Sequence, residues 1–192
     1  YKTTYGVNYT MEVTNPVRVE VREKKLEIIS DYMASSQKAR IQYASKFAGS
    51  SNYYKYSIGQ NKGLKNLNVM DKKQALEDNF SAWVNADNSR KEKYGNALKY
   101  IADSYADVEA KKAQEYLSEA LLRGPEIFTF ATSARRLLDL LENPKENKEA
   151  IDRITSGLKG RMEGFFKDYD AATDEKVAAT LMELYAKNNA EK

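Results

Sequence analysis

The sequence lacks two of the residue types on which catalytic chemistry most often depends. Among its 192 residues there is no histidine and no cysteine. Without histidine, the chain cannot contain the usual general base, nor a Ser-His-Asp or Cys-His catalytic unit. Without cysteine, it cannot contain a disulfide, a thiolate nucleophile or a thiolate-bound zinc ion. The absence of cysteine is also compatible with an oxidising compartment.

Charge and hydropathy narrow the range of partners. Lys and Arg total 31 against 28 Asp and Glu, a formal net charge of +3, and the two signs are interleaved along the chain. This balance disfavours nucleic acid as a partner, and no apolar run approaches the length of a membrane span. No acidic cluster has the spacing of a calcium loop and no glycine-rich loop could cradle a phosphate, so we expect neither a metal nor a cofactor.

Apolar residues spaced three and four apart predict helices along most of the chain. Only residues 1–15, which are rich in Thr, Tyr and Val, indicate an extended segment. Pro16 suits the first turn of the helix that we expect to follow. The pattern predicts an all-α fold of long antiparallel helices and helical hairpins, with a short extended N-terminal segment.

Breaking and capping residues predict where these helices end. Residues 49–52 (Gly-Ser-Ser-Asn) indicate a helix end and a new helix start. The next helix is expected to continue toward Val84, with a bend near residues 59–63. Regular four-three spacing then predicts coiled-coil-like seams at residues 94–108 and 127–141.

Residues 43–66 differ in composition from the rest of the chain. They contain three glycines, several tyrosines and four side-chain amides, which belong to Asn52, Gln60, Asn61 and Asn66. Glycine and amide residues favour caps, turns and close backbone approach over helix interiors. Composition leaves two interpretations open: a tightly packed helical corner, or a ligand-facing edge with Asn52 at a helix start.

The same region resembles the motif of the bacterial chymotrypsin-like dipeptidyl-peptidases, the family that includes dipeptidyl-peptidases 7 and 11. The similar segments are residues 43–53 (Tyr-Ala-Ser-Lys-Phe-Ala-Gly-Ser-Ser-Asn-Tyr), 58–59 (Ile-Gly), 61–64 (Asn-Lys-Gly-Leu), 15–18 (Asn-Pro-Val-Arg) and 85–87 (Asn-Ala-Asp). The resemblance extends over the whole chain and is strongest in residues 5–84.

The resemblance implies a place within a larger enzyme. In that family a double β-barrel peptidase domain carries a Ser, His and Asp triad, and a helical domain inserted between the barrels caps the cleft. Residues 16–192 are then expected to form this helical cap domain, incomplete at its C-terminus, with residues 1–15 leaving the preceding barrel. The parent would be a serine-type dipeptidyl aminopeptidase, a homodimer, periplasmic or secreted in a Gram-negative bacterium. Because this chain has no histidine and no Gly-Asn-Ser-Gly nucleophile loop, we expect it to be inactive alone.

One residue role also follows from the resemblance. In the family, the asparagine at the position of Asn52 helps to hold the free α-amino group of the substrate. The expected ligand is therefore a peptide with a free N-terminus, and an amide oxygen is a suitable acceptor for its ammonium group. Tyr53, Tyr54 and Gln60 are weaker candidates for lining the cleft.

A stand-alone helical interaction module is the alternative reading of the sequence. In that case the seams at 94–108 and 127–141 would contact a partner protein. The parent gene distinguishes the two, because only the peptidase requires barrel sequence with His and Asp upstream and a Gly-Asn-Ser-Gly loop downstream.

Overall fold

The computed structural model describes residues 2–189, and every regular element in that part of the chain is a helix. The α-helices are α1 (Thr4–Tyr9), α2 (Asn15–Ser35), α3 (Gln37–Asn66), α4 (Val69–Asn85), α5 (Asn88–Tyr94), α6 (Ala97–Ser104), α7 (Val108–Tyr116), α8 (Glu126–Thr132), α9 (Arg135–Leu140), α10 (Lys148–Lys167) and α11 (Ala171–Lys187). Two π-helical segments complete the order, π1 (Thr10–Thr14) and π2 (Leu117–Leu122). The predicted all-α class is confirmed.

The chain divides into two compact units. Unit 1 comprises Tyr1–Glu20 and Asn52–Glu115, and unit 2 comprises Val21–Ser51 and Tyr116–Lys192. Buried apolar side chains occur in both. Those of unit 1 are Val7, Met11, Val13, Val17 and Val84, and those of unit 2 include Val21, Ile29, Tyr43, Tyr116, Ala120, Leu158, Val177 and Leu181. The functional candidates predicted from sequence all belong to unit 1.

The N-terminal segment is helical, so the prediction of an extended segment at residues 1–15 is wrong from Thr4 onward. The side chain of Thr3 caps α1 by accepting a hydrogen bond from the N–H of Gly6. The buried carboxylate of Glu77, on α4, accepts from both the N–H and the hydroxyl of Thr4, each at 2.8 Å. First-turn N–H groups have no partner within their own helix. These acceptors therefore outweigh the strand preference of Thr, Val and Tyr, which depends strongly on context.

The π-helical turn π1 joins α1 to α2, and Pro16 removes one of the backbone hydrogen bonds that would continue it. The N–H of Asn15 donates to the carbonyl of Thr10, five residues earlier. The next bond in that pattern would run from residue 16 to the carbonyl of Met11, but proline has no N–H. The Met11 carbonyl instead accepts from the side-chain amide of Asn61, at 2.9 Å.

Helix α3 runs without a break for 30 residues, so the predicted end and restart at residues 49–52 is wrong. Gly49 does not take up the positive φ of a glycine at a helix end. The break lies after Asn66, where Asn68 adopts the left-handed conformation with φ 49° and ψ 46°. Asparagine tolerates this conformation better than most residues. Helix α4 begins only at Val69, so no single helix leads on toward residue 84.

Both predicted seams are interrupted, so the expectation of continuous coiled-coil arms is wrong. Within residues 94–108 the helix ends at Tyr94 and again at Ser104. Within residues 127–141 it breaks between α8 and α9, and Leu138 is 66% exposed. A seam with heptad spacing needs an unbroken helix whose apolar stripe is covered.

Unit 2 contains the hairpin formed by the C-terminal half of α2 and the N-terminal half of α3. Only Ser36 separates the two helices. Tyr32 donates to the side-chain oxygen of Gln42 at 3.0 Å, and its ring meets that of Tyr43 edge-on at 4.9 Å between centroids. The predicted helical hairpin is confirmed at this place.

Elsewhere in unit 2, an aspartate from one helix caps another. The carboxylate of Asp174, on α11, accepts from the N–H groups of Glu126 and Ile127 at 2.6 and 2.9 Å. Tyr169 also donates to it, at 3.2 Å. Because Pro125 cannot supply a side-chain acceptor, α8 depends on this distant carboxylate for its first turn.

Replacement of Glu77 should destabilise unit 1. Glu77→Ala leaves the N–H and hydroxyl of Thr4 without their acceptor, and we expect a loss of about 2–4 kcal/mol in the free energy of unfolding. Urea unfolding followed by the fluorescence of Trp83, the single tryptophan, measures this loss. The control is Asp78→Ala at the neighbouring exposed carboxylate, which should change stability by no more than about 0.5 kcal/mol. Equal losses in both variants would contradict the assigned role.

Alkaline pH should also weaken unit 1 through Tyr9, which donates to Glu115 at 3.1 Å. Burial, and then the charge of Glu115, raise the pKa of Tyr9 to about 12 from 10.0. A raised pKa in the folded state means that the associated stability is complete below pH 10 and is lost between pH 10 and 12. Tyr9→Phe should therefore flatten the fall in urea midpoint over that window, whereas Tyr100→Phe at an exposed tyrosine should leave it unchanged.

Candidate functional site

All four candidate residues from the sequence lie on α3, and Asn52 is in its interior. Asn52 is exposed, and its amide makes no side-chain hydrogen bond with any residue between 2 and 189. The expectation that Asn52 starts a helix is therefore wrong, although its amide is available as expected. Tyr53 is 54% exposed beside it, whereas Tyr54 is half-buried and, at 200° of helical rotation from Asn52, projects from the opposite side.

Asn52, Tyr56 and Gln60 follow one another at intervals of four residues, so their side chains stack along one face of α3. Each interval advances about 6 Å along the helix axis. Gly59 and Gly63 share this face. We call the set Asn52, Tyr56, Gly59, Gln60 and Gly63 the amide face.

The two glycines of the amide face are open to their surroundings. A Cβ added at Gly59 or at Gly63 would meet no atom within 4 Å, neighbouring helix backbone aside, in the part of the chain that is described. No close packing there requires a glycine at either position. The interpretation of this region as a tightly packed corner is therefore wrong for these two residues. Glycine in a helix interior costs about 0.5–1 kcal/mol relative to alanine.

Behind the amide face, Gln60 is tied to a fully buried asparagine. Asn15 donates from Nδ2 to the side-chain oxygens of Gln60 and Asn61, at 2.9 and 2.7 Å. Gln60 in turn donates to the hydroxyl of Tyr56, at 2.9 Å. Gln60 thus connects the buried amides to the exposed surface, which gives it a structural role as well as a place in the candidate site.

Sequence reasoning did not identify Asn15, Asn61 and Tyr56 as members of this site. Asn15 appeared within the similar segment 15–18 and Asn61 among the four amides, but neither was assigned a role in this site, and Tyr56 was one tyrosine among several. The signal available in the sequence is Pro16, because a proline after a helical segment leaves a carbonyl that needs another donor. Which amide supplies that donor depends on a contact 50 residues distant, which periodicity does not reveal.

The amide face offers hydrogen bonds but no acid–base chemistry. Its polar groups are neutral amides and a phenol, and the chain has no histidine or cysteine. In the described residues no three His, Cys, Asp or Glu side chains are close enough to hold a metal ion. None of the helices that the structure describes is sufficiently long and apolar to span a membrane. Such a site is suited to binding and orienting a polar ligand.

The described residues define an all-α fold that exposes a hydrogen-bonding face on α3. The chain belongs to the Peptidase S46 family, whose model matches residues 1–192. The resemblance found from residues 43–66 is thereby confirmed.

Individual relatives extend this assignment. Dipeptidyl-peptidase 7 of Porphyromonas endodontalis is 37% identical over 187 residues, covering 96% of this chain and 21% of the relative. The Asp/Glu-specific dipeptidyl-peptidase of Flavobacterium psychrophilum is 32% identical, covering 97% of this chain and 26% of the relative. The chain thus spans about a quarter of the length of these relatives.

A solved structure supports the fold. The crystal structure of Porphyromonas endodontalis DPP11 in complex with the dipeptide Arg-Glu matches with a TM-score of 0.67 and 24% identity. The match covers 97% of this chain and 26% of that one. The helical architecture is therefore the one found within that protein.

Substitution of a face glycine should stabilise the isolated chain. Gly59→Ala should raise the free energy of unfolding by about 0.5–1 kcal/mol, because the methyl group meets open space and alanine favours the helix. Gly124→Ala is the opposed control, since its Cβ would overlap the carbonyl of Ala120 and the side chain of Leu181, at a cost of about 1–3 kcal/mol. Urea unfolding followed by circular dichroism compares them, and destabilisation by Gly59→Ala would show that the face is covered.

Proposed function

We propose that this chain is the substrate-binding and capping helical domain of a serine-type dipeptidyl aminopeptidase, which releases dipeptides from peptide N-termini. The observation that carries the proposal is the exposed amide of Asn52 in the interior of α3, which has no hydrogen-bond partner among residues 2–189. Membership of the Peptidase S46 family supports a peptidase parent. The catalytic triad lies in another part of that parent, because this chain has no histidine, and the chain alone hydrolyses no peptide.

Asn52 binds the free α-amino group of the substrate. Its amide oxygen accepts a hydrogen bond from the ammonium group. Because the N-terminal nitrogen is then held at a fixed position, the bond after the second residue is the one placed for cleavage. Tyr53, which borders the amide face, contributes to the wall of the cleft. Tyr54 is a weaker candidate for the same wall because it is half-buried on the other side of α3.

A shared role in amine recognition is consistent with the names of the relatives. Relatives described as dipeptidyl-peptidase 7 and as Asp/Glu-specific dipeptidyl-peptidases match this chain over nearly its whole length. Recognition of a free N-terminus is the feature that dipeptidyl-peptidases of different side-chain preference have in common. The helical domain therefore recognises the substrate backbone, and the β-barrel peptidase domain of the same parent chain selects the side chain.

The parent enzyme is a homodimer in the periplasm of a Gram-negative bacterium, or is secreted to its surface. The alternative, a stand-alone interaction module built on coiled-coil seams, is less well supported. Its two seams are interrupted by the ends of α5, α6 and α8.

Loss of the Asn52 amide should impair turnover of substrates with a free N-terminus. A hydrogen bond to a charged group contributes about 1.5–3 kcal/mol, so Asn52→Ala in the full-length parent should lower kcat/KM by roughly 10- to 100-fold. Steady-state hydrolysis of a dipeptidyl substrate with a fluorogenic leaving group measures the change.

The matched control is Asn85→Ala, at an exposed asparagine that ends α4 in the same unit. It should leave kcat/KM within about twofold of the unchanged enzyme, since a surface site away from the ligand contributes little. If a folded Asn52→Ala enzyme retained its full kcat/KM, Asn52 would not be the amine anchor.

A further inference from the structure

A relay of side-chain amides leads from the backbone at Met11 to the surface at Tyr56, and its first step has a fixed direction. The Met11 carbonyl can only accept, so Asn61 must turn its Nδ2 toward it. The oxygen of Asn61 then faces Asn15, so Asn15 must donate to it from Nδ2. Because the direction is set by a backbone carbonyl, the amides along the relay cannot reverse freely.

The direction carries through Asn15 to Gln60. Both hydrogens of the Asn15 amide are committed, one to Asn61 and one to the oxygen of Gln60. The buried Oδ1 of Asn15 has no hydrogen-bond partner among the described residues. The orientation in which Nδ2 donates both of these hydrogen bonds is therefore kept although it leaves this oxygen unpaired there. Gln60, having turned its oxygen inward, presents Nε2 to the hydroxyl of Tyr56.

The relay therefore ends on a phenol oxygen that accepts, and the hydrogen of Tyr56 is left to donate outward. Tyr56 is 55% exposed, and its hydroxyl has no other hydrogen-bond partner in the described chain. It stands one helical turn from Asn52 on the amide face, about 6 Å along the axis. A donor held in this way loses little conformational freedom when it binds an acceptor.

We propose that Tyr56 donates a hydrogen bond to the backbone carbonyl of the first substrate residue, with its hydroxyl oriented by Gln60 and Asn15. This inference rests on the proposed function, in which the substrate amine lies at Asn52. Tyr56 is then a substrate-binding residue, and Gln60 and Asn15 are positioning residues.

Geometry and chemistry select that carbonyl. A dipeptidyl unit offers two carbonyl oxygens, and the one at the bond to be cut must enter an oxyanion hole beside the nucleophile. The carbonyl of the first residue is the acceptor that remains. An extended chain advances about 3.3–3.6 Å per residue, so this carbonyl lies within one residue of the amine and within the span between Asn52 and the phenol of Tyr56.

Tyr56→Phe in the full-length parent enzyme tests the contact. The change removes only the hydroxyl, and we expect kcat/KM to fall about three- to tenfold, as for a neutral hydrogen bond. The loss should be the same for a substrate that lacks its α-amino group. It should shrink toward unity for a substrate whose first carbonyl is a thiocarbonyl, since sulfur is a weaker acceptor. Tyr100→Phe, at an exposed tyrosine of α6, controls for general effects of removing a phenol and should leave kcat/KM unchanged.

Gln60→Glu tests the relay. A carboxylate still accepts from Asn15, but it also accepts from Tyr56 and so draws the phenol hydrogen away from the substrate. Measured on the substrate without an amino group, where the added charge has no ammonium to attract, Gln60→Glu should reproduce the loss of Tyr56→Phe. The double variant should lose no more than either single variant, because both changes remove the same hydrogen bond.

The outcomes separate this inference from the function on which it rests. Full activity of a folded Tyr56→Phe enzyme, an undiminished loss with the thiocarbonyl substrate, or additive losses in the double variant would each overturn the contact. An effect of Tyr56→Phe without any effect of Asn52→Ala would support the contact while overturning the amine anchor. The reverse result would retain the anchor and reject the contact.

Discussion

The arrangement of unit 1 depends on one missing hydrogen, that of the backbone nitrogen of Pro16. Because proline cannot donate, the carbonyl of Met11 at the π-helical turn lacks the backbone donor five residues later, and a buried carbonyl left without any partner would cost about 1–3 kcal/mol. Asn61, 50 residues later, satisfies it. This bond joins α3 to the π-helical turn through Asn61, whose side chain projects from the side of α3 opposite Asn52.

The same bond orders the polar groups around it. Once Asn61 is oriented, only one orientation of the Asn15 and Gln60 amides places a donor opposite an acceptor in each of the hydrogen bonds between them. Hydrogen bonds between buried polar groups are stronger in a low-dielectric interior than in water, so these bonds favour one orientation of the amides, with Oδ1 of Asn15 left without a partner among the described residues. The π-helical turn, often found at functional sites, is here the origin of that order.

Sequence reasoning recovered much of the fold and part of the site, for physical reasons that differ between them. Apolar periodicity is a local property, so helices along most of the chain, the one that begins near Pro16 among them, and the all-α class could be predicted. The residues at 49–52 indicated a break because glycine and serine are weak helix formers, but a buried Ser50 shows that surrounding packing holds the helix there. Residues 4–14 carried strand-forming side chains, and a carboxylate more than 60 residues away made them helical. Contacts at such distances leave no periodic trace in the sequence.

The composition of the amide face is costly for a helix, and that cost supports a role in ligand binding. Asn52, Gly59 and Gly63 together weaken α3 by about 2–3 kcal/mol relative to alanine. Neither glycine gains a packing contact in return within the described chain. The amide relay contributes four hydrogen bonds to this part of unit 1, at about 1 kcal/mol each, which is enough to offset the loss. The amide face places two glycines and an asparagine side by side on an exposed part of α3, and the amide relay holds the helix from its other side. This arrangement lets a ligand approach the helix backbone and a few hydrogen-bonding groups closely. The ligand proposed above, a peptide backbone with a free amine, carries hydrogen-bonding groups that such a face can pair with.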